Sequence, residues 1–135
     1  MDQRYFLEIK ALTTEFIANG ILEENIEVIV YRDTFIKSMN MEYTTFGSKH
    51  LKWNSVINNP ALNNFIDKDF DLLISYYEIE KAILLSVTHN SKAHFKVGFS
   101  AIDKRLNNLI INTDAVNQKV FTQELLRYLK ILNKI

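Results

Sequence analysis

Apolar residues recur every three or four positions over residues 4–18, which is the spacing of one face of a helix. The predicted apolar face consists of Phe6, Ile9, Leu12 or Thr13, Phe16 and Ile17. Asn19-Gly20 follows this stretch, and glycine commonly ends a helix because it adopts a positive φ without strain. The pattern therefore predicts a first helix over residues 4–18.

Three further stretches have helical spacing. Asn59 is a good N-cap residue and Pro60 suits the first helical position, so a short helix is predicted to begin there. Another helix is predicted over 78–90. The last helix is predicted from an apolar stripe of Phe121, Leu125, Tyr128, Leu132 and Ile135. A stripe of this length is typical of core packing, because a coiled coil needs more heptads.

Apolar, β-branched runs between the helices predict strands. These runs cover residues 26–31, 70–77, 95–99 and 109–111. The first run is almost entirely apolar, as in a strand that is covered on both faces of a parallel sheet. Residues 32–58 have the weakest pattern. They predict a helical turn over 34–41, a weak strand over 41–46 and, taken together, a long surface excursion.

Helices that alternate with apolar strands indicate an α/β fold with a largely parallel sheet. We expect a single three-layer α/β domain over residues 1–135, with a mostly parallel sheet of four or five strands and helices on both faces. The length agrees, because domains commonly have about 100–150 residues. Three glycines and one proline also leave little room for a flexible linker.

Composition narrows the classes of function. The 16 basic and 16 acidic residues balance, so the chain as a whole has no bias towards the phosphates of nucleic acid. The chain has no cysteine, which excludes disulfides, thiolate metal ligands and a cysteine nucleophile. The N-terminus lacks the pattern of a signal peptide, and no apolar run approaches the roughly 20 residues that span a bilayer. These features predict a cytoplasmic protein without cofactor or membrane.

Three motifs in the second half of the chain carry a family resemblance. They are Phe70-Asp71-Leu72-Leu73-Ile74, the segment Ser91-Lys92-Ala93-His94-Phe95-Lys96-Val97-Gly98, and the closing Tyr128-Leu129-Lys130-Ile131-Leu132-Asn133-Lys134-Ile135. They resemble a Bacteroidetes family known only as a domain of unknown function, well over residues 49–135 and loosely over the first 48. The resemblance implies a bacterial cytosolic origin and an α/β fold, and it implies no activity.

The same resemblance bears on the start of the fold. Family members have a basic stretch and an apolar strand before the helix that opens this chain, so the opening strand is expected to be absent here. An unpaired sheet edge is a template for another strand. We therefore expect either a shortened form or a homo-oligomer or protein partner that supplies the missing strand.

Ligands in open α/β sheets bind beyond the carboxyl ends of the strands. The candidate ligand-binding residues at these ends are Asp33, Ser75, Tyr77, Glu78 and Asp114. The alternative is that the aspartates cap helices or turns and that the tyrosines pack at the edge of the sheet.

A polar, basic run covers residues 89–96. Lys92 and Lys96 are candidate contacts for an anion, and the alternative is a solvated loop whose lysine stems cover apolar surface. His89 and His94 lack the i, i+4 spacing and the adjacent glutamate of the zinc peptidase motif, so no metal site is predicted.

No catalytic motif is present. The sequence contains neither a G-x-S-x-G elbow nor a glycine-rich phosphate loop. Trp53 is either an exposed binding anchor or a plug in a satellite core. We therefore expect a non-enzymatic interaction or assembly module, and the alternative is a domain or enzyme for a small anionic ligand at the strand ends.

Overall fold

The computed structural model describes residues 3–32 and 43–135, with the side chains of the first helix described from Ile9 onward. Within this part the chain forms four α-helices and five strands, arranged in the order α1 (Gln3–Ala18), β1 (Ile29–Tyr31), β2 (Thr44–Phe46), α2 (Pro60–Asp67), β3 (Leu72–Ser75), α3 (Ala82–Asn90), β4 (Phe95–Phe99), β5 (Leu109–Ile111) and α4 (Gln118–Ile131). None of the helices is long and apolar enough to cross a membrane. The predicted turn over 34–41 lies outside the described residues.

The α/β class and the parallel pairing are confirmed. β1 pairs with β2 in parallel, and β3 pairs with β4 in parallel with Leu72 opposite Phe95 and Ser75 opposite Gly98. The strands form two sheets, one of order β1-β2 and one of order β3-β4-β5, where the sequence predicted one sheet.

The chain divides into two compact units, Met1–Glu27 with Ile111–Ile135, and Val28–Ile110. In the first unit α1 packs against α4. Its buried apolar side chains are Phe16, Ile111, Phe121, Leu125, Leu126 and Leu129. The predicted first helix is confirmed; it ends at Ala18 and is followed by a turn that contains Gly20, whose φ is +94°. The prediction of one domain over 1–135 stays a prediction.

The second unit holds a continuous apolar core. Its buried members are Phe46, Leu62, Phe65, Ile66, Leu73, Ile83 and Val87. α2 begins as predicted, because the Asn59 side chain accepts a hydrogen bond from the Leu62 amide at 3.1 Å and Pro60 takes the first helical position. β4 and β5 also lie where the sequence predicted them.

Three sequence predictions need correction. The surface excursion over 32–58 is wrong in part, because β2 pairs with β1 and Phe46 is buried in the core. The helix predicted over 78–90 begins only at Ala82, and Ile79, which the pattern placed on its apolar face, is 68% exposed. The last helix ends at Ile131, which leaves Leu132 and Ile135 of the predicted stripe exposed.

The side chain of Asn107 approaches Gly98 of β4 so closely that a larger residue does not fit there. A Cβ at this position would overlap with the side-chain amide of Asn107. Both polar atoms of that amide are buried, and neither has a hydrogen-bond partner among the described residues. The glycine of the Lys96-Val97-Gly98 motif therefore makes room for a packed asparagine.

We predict that Gly98→Ala lowers the free energy of unfolding by about 1–3 kcal/mol, the usual effect of overpacking. In an Asn107→Ala background the obstructing amide is gone, and we expect a loss below about 1 kcal/mol. Urea unfolding followed by circular dichroism measures both. Equal losses in the two backgrounds would contradict the assignment of the effect to this contact.

Candidate functional site

The hydroxyl groups of two predicted site residues converge on Thr88 of α3. Thr88 Oγ1 lies 3.2 Å from Ser75 Oγ and 2.7 Å from Tyr77 Oη. Thr88 also donates to the Leu84 carbonyl at 3.0 Å, which is the usual bond of a threonine inside a helix. Ser75 stands at the end of β3 and Thr88 in the crossover helix, so the strand-helix packing builds this hydroxyl cluster of Ser75, Tyr77 and Thr88.

The hydroxyl cluster is largely removed from water. Ser75 and Thr88 are buried, and Tyr77 is half-buried. Burial raises the pKa of the Tyr77 phenol, the hydrogen bond with Thr88 lowers it, and the charge of Glu80 raises it, so that the net shift is upward. The phenol is therefore neutral at physiological pH and acts as a hydrogen-bonding group rather than as a base.

Lys96 reaches the carboxyl end of α3. Its ammonium donates to the Thr88 carbonyl at 2.7 Å and to the His89 carbonyl at 3.2 Å. The last carbonyls of a helix lack partners within the helix and carry partial negative charge, so a lysine placed there stabilises the end. Partial burial lowers the pKa of the Lys96 ammonium. This predicted anion contact is thus engaged with the protein's own carbonyl groups.

Lys92 lies elsewhere, in the loop between α3 and β4. It forms an exposed ion pair of 3.8 Å with Asp67, and His94 lies 2.5 Å from Asp69 through Nε2. These pairs join this loop to the end of α2 and to the turn between α2 and β3. The backbone supports the same junction, since the Lys92 amide donates to the Ile66 carbonyl at 3.1 Å. Exposed pairs of this kind contribute about 0–1 kcal/mol each, so they hold the loop in place more than they stabilise the fold.

Of the three remaining predicted ligand-binding residues, the structure describes Glu78 and Asp114. Glu78 follows Tyr77 and is half-buried in the segment before α3. Asp114 is exposed in the turn before α4 and belongs to the first compact unit. Asp33 lies outside the described residues. Thr88 is the member that the sequence did not predict, because a single threonine within an apolar helix gives no signal of its own.

Trp53 stands at the tip of a hairpin and is 97% exposed. We name residues 51–57 the Trp53 hairpin. Leu51 and Ile57 pair in antiparallel fashion, the Lys52 amide donates to the Val56 carbonyl at 2.9 Å, and the Ser55 amide donates to the Lys52 carbonyl at 2.9 Å. Ser55 has a φ of +68°. These bonds and the left-handed residue are those of a three-residue hairpin loop. The satellite-core alternative for Trp53 is therefore wrong.

Both legs of the Trp53 hairpin are fixed to their surroundings. The Asn58 amide donates to the His50 carbonyl at 2.7 Å, and the Asn63 side chain in α2 donates to the Ile57 carbonyl at 3.0 Å. Just before the hairpin, His50 Nδ1 accepts a hydrogen bond from the Gly47 amide at 3.0 Å. Leu51 and Ile57 pack against the core of the second unit. The tip is thus held out from an ordered base.

The sequence model of a family of unknown function (DUF6913) matches residues 1–132. The chain belongs to this family. The predicted resemblance is confirmed, and the match extends through the first 48 residues, where the motifs gave only a loose likeness. The Bacteroidetes origin stays a prediction. Comparison of the chain with curated proteins and with solved structures returns no match.

The described part of this DUF6913 chain does not hold the elements of the commoner reaction types. No group of three or more His, Asp or Glu side chains there is placed to hold a metal ion. The Ser75 hydroxyl is bonded to Thr88 rather than to a histidine or carboxylate that could activate it. The two notable features of the described residues are the hydroxyl cluster, whose members bond to one another, and the exposed side chain of Trp53.

We predict that Thr88→Val in the DUF6913 chain lowers the free energy of unfolding by about 1–3 kcal/mol, because it removes the shared partner of two hydroxyl groups that lie out of water. Thr44→Val is the matched control, since Thr44 is exposed in β2, and we expect a change within about 0.5 kcal/mol. Urea unfolding measures both. Similar values for the two variants would show that the hydroxyl cluster has no role in stability.

The raised pKa of Tyr77 predicts a loss of stability at alkaline pH. The folded chain holds the phenolic proton more tightly than the unfolded chain, so this contribution is complete below the ordinary value of 10.0 and is lost as the pH rises through the folded-state pKa. Lys96 acts in the opposite direction, because its lowered pKa adds stability as the pH rises. The comparison with Tyr77→Phe therefore isolates the phenol.

We expect the stability of the wild type relative to Tyr77→Phe to stay constant up to about pH 10 and to fall above it, as measured by urea unfolding at several pH values on either side of pH 10. A difference that stays constant across this range would contradict the prediction.

Proposed function

We propose that this chain is a non-enzymatic interaction module that binds another protein through the Trp53 hairpin. The observation that carries the proposal is the 97% exposure of Trp53 at an ordered tip. Single exposed apolar residues are ordinary on protein surfaces, but they are seldom the largest aromatic side chain. Tryptophan is also enriched among the residues that dominate binding energy at protein interfaces.

The energetic argument concerns the indole. An aromatic side chain of this kind buries about 150–250 Å² when it is covered, and apolar burial contributes about 25 cal/mol per Å². A partner that covers Trp53 would therefore gain about 4–6 kcal/mol before the costs of association. That gain is large enough to make a single side chain the centre of an interface.

The ordered base of the hairpin supports the same proposal. Association costs free energy for every loop and side chain that becomes fixed on binding, so a recognition element that is already ordered binds more tightly. The backbone bonds at Lys52 and Ser55 and the bond from Asn63 fix the hairpin before any partner arrives. Only the Trp53 side chain remains to be immobilised.

The alternative of a small anionic ligand has less support. The hydroxyl groups of Ser75 and Tyr77 are bonded to Thr88, and Lys96 is bonded to backbone carbonyls, so a ligand would have to replace contacts that the protein already makes. Self-association or partner binding through a sheet edge stays a prediction. It is independent of Trp53, and sedimentation of the purified chain at high concentration tests it.

We predict that Trp53→Ala weakens binding to the protein partner while leaving stability within about 0.5 kcal/mol of the wild type. The tagged full chain is expressed in its native cells, and the proteins that co-purify with it are quantified by mass spectrometry. An identified partner is then purified and titrated calorimetrically. We expect Trp53→Ala to weaken binding about 30-fold or more, the effect of losing a hot-spot residue worth about 2 kcal/mol.

Ile79→Ala is the matched control, because Ile79 is also a largely exposed apolar residue of the second unit. It should bind as the wild type does. Trp53 is the single tryptophan of the chain, so its fluorescence follows the hairpin directly and should shift to shorter wavelength as the partner covers it. Equal affinities for wild type and Trp53→Ala would overturn the proposal.

A further inference from the structure

The segment of sequence that contains the Trp53 hairpin has basic residues and no acidic ones. Residues 43–66 contain Lys49, Lys52 and His50 but no Asp or Glu, although the whole chain has 16 acidic residues. Lys52 is directly next to Trp53 in the hairpin and is exposed, as are Asn54 and Ser55. Within the Trp53 hairpin, therefore, the single formal charge is positive and belongs to the residue that precedes Trp53.

The neighbouring helix extends this pattern. α3 packs against the short turn Ser48–His50 that leads into the hairpin. Residues 81–102, which include all of α3, also contain no Asp or Glu. Two acid-free segments thus meet at the base of the hairpin, and no carboxylate from either segment is present there to offset Lys52.

We infer that the partner of the Trp53 hairpin is a protein whose apolar pocket for the indole is rimmed by carboxylate groups. This inference rests on the proposed function and adds the chemistry of the partner. Opposite charges at the rim of an interface accelerate encounter and fix the register of docking, while the buried apolar centre supplies most of the affinity. The positive charge of Lys52, next to Trp53 in the chain, complements a pocket whose rim carries carboxylate groups.

Two other classes of anionic partner fit less well. A myristoyl chain alone gives only marginal membrane binding, with an association constant of about 10⁴ M⁻¹, and one indole with a partly exposed Val56 inserts less apolar surface than that chain. Nucleic acid is bound by the joint neutralisation of several phosphates, and residues 43–66 supply two lysines. A protein pocket that encloses one side chain requires neither the large apolar insertion that holds a protein on a membrane nor the several cations that bind nucleic acid.

The test is photo-cross-linking from the hairpin in the native cell. The full chain carries p-benzoylphenylalanine in place of Val56, which is exposed and three residues from Trp53. A second version carries it in place of Lys104, an exposed residue of the same unit, as the control position. Cross-linked species are sorted into protein, lipid and nucleic acid, and cross-linked peptides are located by mass spectrometry. The identified partner is then titrated against the chain at low and high salt.

We expect a protein cross-link at position 56 that is absent at position 104 and lost with Trp53→Ala. The cross-linked peptide should lie beside clustered Asp and Glu residues of the partner. Lys52→Glu should slow association about tenfold or more, whereas Lys52→Met, which keeps the length of the side chain, should slow it less. High salt should reduce the rate for the wild type and leave that of Lys52→Met nearly unchanged.

The other outcomes are separable. A protein cross-link that depends on Trp53 but is indifferent to salt and to Lys52→Glu overturns the acidic rim and leaves the proposed function standing. A lipid or nucleic-acid cross-link overturns both the partner class and the inference. No cross-link above the level at position 104 overturns the proposed function, and the inference fails with it.

Discussion

The parallel pairing of β3 with β4 is the constraint on which the second unit depends. A parallel pair needs a crossover connection, and α3 supplies it, so the register that sets Ser75 opposite Gly98 also determines what α3 lies against. Thr88 reaches the hydroxyl of Ser75, and the ammonium of Lys96 meets the last carbonyls of α3. At the same end of β4, the lack of a side chain on Gly98 accommodates Asn107. One strand pairing thus positions the contacts made by Ser75, Thr88 and Lys96.

The elements that the sequence predicted well are those whose ends are marked by capping or helix-terminating residues. α2 begins with an asparagine cap and a proline, and α1 is followed within two residues by a glycine with positive φ, so both boundaries follow from local residues. α3 lacks a side-chain cap at Lys81, and the helical spacing that runs back to Ile79 is accidental, so its start could not be located. β2 lies within the weak strand predicted over residues 41–46, but periodicity does not encode its pairing with β1 or the burial of Phe46 in the core.

The hydroxyl cluster and the Trp53 hairpin could be predicted from the sequence to different degrees. The rule that ligands meet the ends of parallel strands led to Ser75 and Tyr77, yet their shared partner Thr88 depends on the packing of a helix that the rule does not describe. The sequence did not decide whether Trp53 is an exposed binding anchor or a side chain buried in a satellite core. The usual hairpin signal is Asn-Gly, and here Asn54 is followed by Ser55, which takes the left-handed conformation without being glycine. The loop is stabilised by Asn54, whose side chain accepts from the Val56 amide at 3.3 Å.

The base of the Trp53 hairpin packs on the core of the second unit, so binding at Trp53 is coupled to folding of that unit. Leu51 and Ile57 at its base pack on the same core as Phe46 and Leu62, and Asn63 of α2 bonds to Ile57. The geometry at the tip therefore exists only while that core is intact, and a molecule that grips the indole selects the folded state over the unfolded one. By mass action such a ligand raises the melting temperature of the unit, by an amount that grows with its concentration relative to its dissociation constant. Loss of the partner that we propose would then shorten the half-life of this unit against proteolysis.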